Sequence, residues 1–149
     1  MREIEFRCKS IETKEFIFGQ LFYSHGTGTW KITCGNGWTP SYSNPDEGES
    51  TVYHDVDYNT VGQFTGLKDK NGVKIFEGDI CKVTYYNHSI KNSELIQTVI
   101  YDLGTFSLRK DKTNSKIEEY RTFVPLYYSF APNKIEVIGN VHQDKELLS

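Results

Sequence analysis

Apolar residues in this chain recur at every second position over short runs, and glycine, asparagine or proline breaks each run before it lengthens. A period of two sends alternate side chains to opposite faces of an extended backbone, so the pattern specifies half-buried strands and no helix longer than a few turns. Ile4 and Phe6 alternate with Glu3, Glu5 and Arg7, which predicts a strand at the very start. Phe16-Ile-Phe18 and Leu21-Phe-Tyr23 flank Gly19-Gln20, and glycine in the first of two loop positions suits a type II′ turn, so this stretch reads as a hairpin. Trp30-Lys-Ile-Thr33 reads as another short strand. Gly35-Asn-Gly37 and the polar stretch 40–50, with Asn44-Pro45 and Gly48, predict an exposed mobile loop spanning 40–60.

The later chain repeats the pattern. Asn71-Gly72 within Lys68-Asp-Lys-Asn-Gly72 is the strongest turn signal present, because both residues tolerate positive φ. Glu77-Gly-Asp79 makes a second break before Ile80-Cys-Lys-Val-Thr-Tyr-Tyr86, whose β-branched and aromatic content predicts a central strand ending at the polar run 87–93. Segments 95–101 and 105–108 read as a strand pair around Asp102 and Gly104, with 110–115 as a polar loop. Pro125 argues against a central strand through 120–130, and Ile135-Glu-Val-Ile138 is a last period-two segment ending at Gly139, with Asp144 placed to cap a short helical turn. Many short strands, an N-terminal β meander and little helix predict a mainly β, antiparallel small barrel or sandwich, an SH3-like barrel among the forms open to it.

The 149 residues suit one domain over 1–149, and 10 Tyr, 9 Phe and 2 Trp give it bulk to bury. A formal net charge of −3 supplies no broad cationic field for phosphate backbones or anionic lipid. Cys8, Cys34 and Cys81 are odd in number and widely spaced, which fits free thiols in a reducing compartment. The charged N-terminus lacks the apolar stretch of a signal peptide, and no apolar run is long enough to cross a bilayer, so a soluble, cytoplasmic protein without a membrane partner is expected.

The sites that chemistry could use are few. Tyr53-His-Asp-Val-Asp-Tyr58, if extended, places Asp55 and Asp57 on one face and His54 on the other, so one metal ion would not meet all three and a solvated edge or loop explains them better. Asp69-Lys-Asn-Gly72 fails as a calcium loop: aligning its glycine puts Leu67 at the first ligand and Gly78 where a glutamate is required. His25, His88 and His142 stand apart from one another and from the cysteines. Gly26-Thr-Gly28 and Gly35-Asn-Gly37 lack the Lys-Ser/Thr ending of a phosphate loop and read as turns. No catalytic residue, metal or cofactor is expected, and an enzyme ranks below a binding protein. Lys68, Lys70, Lys74, Lys82, Arg109, Lys110 and Lys112 could follow a nucleic-acid backbone, with Tyr85, Tyr86 or Tyr101 as stacking faces. Protein association ranks above this, with homo-oligomers and an unidentified protein partner expected, through edge strands or a shared apolar patch.

One segment carries a resemblance. Gly62-Gln-Phe-Thr-Gly-Leu-Lys-Asp-Lys-Asn-Gly72, followed by Ile75-Phe-Glu-Gly-Asp-Ile80, resembles the signature of the YopX family of phage and prophage proteins. Met1-Arg-Glu-Ile-Glu-Phe-Arg7 at one end, and Val137-Ile-Gly-Asn-Val141 with Glu146-Leu-Leu148 at the other, resemble the family's ends. Family members often continue the first strand with an Ala-Trp-Asp-like sequence, where this chain has Cys8-Lys9-Ser10, and 41–58 matches no known pattern. The resemblance implies a compact β fold, a phage or prophage origin and a bacterial host cytoplasm, and it transfers no activity. Within the signature, Gln63, Phe64, Thr65, Gly66, Leu67, Asp69, Gly72, Glu77, Gly78, Asp79 and Ile80 read as structural: glycines for turns, apolar residues for a core.

Overall fold

Ten strands and a closing 3-10 turn make up the regular structure in the computed structural model, which describes residues 3–34, 52–87, 90–110, 124–125 and 134–148. Every strand pairing is antiparallel, and the chain gathers into two compact units, Met1–Gln63 and Phe64–Ser149.

In the first unit β1 (Phe6–Ser10), β2 (Phe16–Ser24), β3 (Thr29–Cys34) and the opening part of β4 (Val52–Lys68) pair in a ring, because β4 bonds to β1 as well as to β3. Two long strands change partner to close it. Residues 16–19 of β2 pair with β1 and 20–24 with β3, while 52–55 of β4 pair with β3 and 56–63 with β1. The hairpin read at Gly19-Gln20 is therefore absent: β2 runs straight through, and Gly19 marks its change of partner. A Cβ on Gly19 would lie 1.7 Å from the Thr33 carbonyl oxygen, so this close approach of backbones requires glycine. The true turn follows at residues 25–28, where the Gly28 N–H bonds the Ser24 carbonyl. β4 also bulges. Lys9 lies opposite Asp57 but Arg7 opposite Gly62, and Thr60 bridges the extra residues, accepting from the Lys9 N–H and donating to the Asp57 carbonyl. Cys8, Ile32 and Val56 form the core of this unit, with Phe6, Ile17, Leu21, Trp30 and Val61 packed on it.

The second unit holds the end of β4 paired with β5 (Lys74–Phe76), and a sheet in the order β10 (Ile135–Asn140), β6 (Asp79–Asn87), β7 (Ile90–Asp102), β8 (Thr105–Lys110), β9 (Val124–Pro125). β6 is internal, as its composition indicates, and the proline of β9 sits in the last strand of the sheet. Ile75, Cys81, Val83, Val99, Phe106, Leu108 and Ile135 form its core.

Several sequence expectations need correction. The first strand starts at Phe6 and leaves Ile4 exposed. Of the segment 40–60 read as a mobile loop, 52–60 belong to β4 and 40–51 lie outside the described residues, as do Gly35-Asn-Gly37, His88 and Lys112. β6 ends at Asn87, where the polar run 87–93 begins, but the rest of that run from Ile90 onward belongs to β7. In the turn after β4 only Gly72 takes positive φ, at 83°, and the loop spans five residues, 69–73, between the paired Lys68 and Lys74. The Asp144 carboxylate reaches back to the Asn140 N–H instead of capping forward, although the 3-10 turn Lys145–Leu148 does follow it. β10 continues one residue past Gly139, where a Cβ would strike Leu147 and Asp144.

Candidate functional site

The signature residues cluster in the second unit around two carboxylates. Asp69 Oδ1 accepts from the Asn71 and Val73 N–H groups and shapes the turn, while its Oδ2 accepts from the Val137 N–H of β10. The Lys70 N–H adds a bond to the Ile135 carbonyl, so the turn meets two backbone groups on the outward edge of β10. Asp79 is fully buried: Oδ2 accepts from the Phe76 N–H and Oδ1 from Asn140 Nδ2. Gly78 holds φ at 82° beside it, Thr65 Oγ1 donates to the Ile75 carbonyl, and Phe64 packs on Phe76. Gln63 ends the first unit opposite Phe6, and Gly66 takes φ of 87° in β4. Leu67 packs against the core that Ile75 and its neighbours form, Ile80 is buried, and Glu77 stands half-buried before Gly78. These groups hold turns and edges, and they present no reacting constellation.

Three of the lysines named above are engaged by neighbouring side chains. Lys70 Nζ lies 2.7 Å from Glu136 and Lys82 Nζ 2.9 Å from Glu94, and Lys74 sits over the Phe64 ring at 5.2 Å. The Lys70 hydrogen bond holds the Glu136 carboxyl below its usual range, and the Glu94 hydrogen bond pushes Lys82 up. Lys68 is exposed on β4, Arg109 is exposed on β8, and Lys110 ends β8. Of the proposed stacking faces, Tyr85 packs on the core with its hydroxyl bonded to Gln97, Tyr101 is exposed edge-on to Phe106, and the side chain of Tyr86 lies outside the described residues.

Two of the three cysteines, Cys8 and Cys81, are buried, and the side chain of Cys34 lies outside the described residues. Cys81 is buried among aliphatic side chains, and burial pushes the Cys8 thiol up to about 12. Among the described residues no group of three or more His, Cys, Asp or Glu side chains converges as a metal site would need.

What the first unit does present is an aromatic row. The Trp30 and Tyr58 rings stack at 4.7 Å between centroids, Tyr23 meets Trp30 edge-on at 5.5 Å, and His25 meets Tyr23 at 5.1 Å. Trp30 is anchored against the core, whereas Tyr58 and Tyr23 stay 54% and 43% exposed. Cross-strand pairing places Tyr23 opposite Trp30, and β4, paired with β3 on its other side, brings Tyr58 to the indole. Composition alone missed this row: the Tyr23 to Trp30 step follows once residues 25–28 are seen as the hairpin turn, but the Tyr58 contact depends on β4 lying beside β3, which nothing local signals. In the same unit Ser10, Ile11, Glu12, Tyr53, His54 and Asp55 line an open cavity of about 210 Å³. Asp55 there is committed, bonded to Lys31 and Thr29, and the Lys31 bond draws its carboxyl below the usual range. In the second unit the β7–β8 hairpin ends in Leu103, 92% exposed at φ 49°, beside the exposed Tyr101.

No helix among the described residues is long and apolar enough to cross a membrane. Comparison with known proteins adds the following. No curated protein matches the chain. A crystal structure of protein EF1440 from Enterococcus faecalis is similar over 100% of both chains, with 22% identity and a TM-score of 0.56, a likeness of fold. The family model of the YopX protein matches residues 5–149, both units together, with the turn carboxylates Asp69 and Asp79 inside that span. This chain belongs to the YopX family.

Proposed function

We propose that this protein acts by binding protein chains, a second copy of itself among them, and that it serves a phage or prophage in the cytoplasm of a bacterial host without catalysing a reaction. The observation that carries this reading is the exposed aromatic row Tyr58, Trp30, Tyr23 and His25. Rigid aromatic side chains with few rotatable bonds give large contact area at low entropic cost, and a packed Trp between exposed tyrosines is the composition of an interface centre. The turn bonded to Ile135 and Val137 partly covers the outer edge of β10, which favours docking through side chains over strand addition there. Ion pairing of Lys70 and Lys82 to glutamates favours a protein partner over a phosphate backbone.

Light scattering of the purified protein, alone and with single-stranded and duplex DNA and RNA at two salt concentrations, tests the reading. The expected result is a multimer unaffected by nucleic acid that falls to monomer in the Tyr23→Ser/Tyr58→Ser double variant. A monomer that gains mass with nucleic acid only at low salt would overturn it.

A further inference from the structure

We infer that the aromatic row takes an arginine side chain from a basic segment of a partner protein, stacked on the outer face of Tyr58. The inference rests on the reading of the row as the binding surface and adds the chemistry of what it holds. With Trp30 stacked on one face of Tyr58 at 4.7 Å and 24°, no group fits between the two rings, so the 54% of Tyr58 left exposed is its other face and its edge. That face carries the negative pole of the ring quadrupole, which attracts a cation.

An anion stands in the same bulge. Asp57 precedes Tyr58, is exposed, and among the described residues only its Oδ1 is bonded, to the Asn59 N–H and Nδ2, leaving Oδ2 for an incoming group. A guanidinium suits the ring better than an ammonium, because its plane stacks on the aromatic face and leaves its N–H fork free for an acceptor at the edge. The chain already uses the same contact internally: the Arg7 guanidinium lies 4.7 Å and the Lys9 ammonium 5.5 Å from the Phe16 centroid. Tyr23, Trp30 and Tyr58 have no such cation among the described residues. Six cations among the described residues are already engaged: Arg7 and Lys9 sit on Phe16, Lys74 on Phe64, Lys31 on Asp55, Lys70 on Glu136 and Lys82 on Glu94. Acidic residues outnumber basic ones nine to five over residues 1–63, so the field of this part of the chain also favours a basic partner.

Fluorescence tests this directly. In a Trp38→Phe background Trp30 is the remaining indole of the 2 in the chain. It is titrated with an alternating glycine–arginine peptide and with the same peptide carrying citrulline, which keeps the shape and removes the charge. The arginine peptide is expected to change the Trp30 emission saturably and the citrulline peptide not to. Tyr58→Leu should weaken binding roughly three- to fivefold, and Asp57→Asn should weaken it while flattening its salt dependence, both variants keeping the wild-type circular dichroism. Equal response to both peptides, no response to either, or full binding by Tyr58→Leu would overturn the inference. If the arginine peptide fails while the tyrosine double variant still dissolves the multimer, the row remains the interface and only the arginine is wrong; if neither responds, the row itself is not the site.

Discussion

Leu103 stands against two preferences at once: a branched apolar side chain at φ 49°, where L-residues crowd their own carbonyl, and 92% of its surface in water. Asparagine tolerates that conformation and that exposure. Leu103→Asn should therefore raise stability by about 0.5–1 kcal/mol in urea unfolding, and a loss of stability would mean that the leucine packs in solution. Cys8 gives a second residue-scale expectation. With its thiol pushed up to about 12 by burial, it should stay unalkylated when native protein is held with iodoacetamide near pH 8, and peptide mapping that found it modified would contradict the burial. At this scale the sequence was readable where chemistry is local: Gly72 and Gly78 lie at positive φ inside predicted turns. Gly19 was misread because its reason is not local at all, being the Thr33 carbonyl brought against it by another strand.

Among the elements, the turn after β4 has a task beyond reversing the chain. Its Asp69 supplies the acceptor that the Val137 N–H would otherwise lack on the open side of β10. Asp69→Ala removes three acceptor contacts, to Asn71, Val73 and Val137, and should lower stability by about 2–4 kcal/mol. It should also raise the rate of aggregation, measured by turbidity at constant temperature, because a bared edge pairs with other chains. Asp69→Asn, which keeps one acceptor oxygen, should lie between the two. Strands 6, 7, 8 and 10 could be anticipated from alternation because each pairs with a near neighbour in the sequence or has a strongly β-branched run. The long strands β2 and β4 could not: each serves two partners, and a window of a few residues cannot register that the pairing changes halfway.

For the whole molecule, three surface charge pairs each give stability a small dependence on pH. Asp55 and Glu136 titrate below their ordinary values because Lys31 and Lys70 bond them, so their contribution is present above the unfolded carboxylate range and is lost as pH falls through the lowered values. Lys82 titrates above its ordinary value, so its contribution is present below the unfolded lysine value and is lost as pH rises through the raised one. Stability by urea denaturation should thus be flat near neutrality and decline below roughly pH 4 and above roughly pH 10.5. Replacing Glu136 by Gln should soften the acid decline. The mainly β class was legible from alternation, while the row was not, since it joins residues 23, 30 and 58 through pairing that only the folded ring defines. That ring has a consequence in time. The Lys9 N–H meets Thr60 across 51 residues of chain, so during synthesis β1 leaves the ribosome long before the strand that closes its second side exists. Until β4 follows, the nascent chain carries an unmatched edge, and the cell must keep such half-made copies apart from one another.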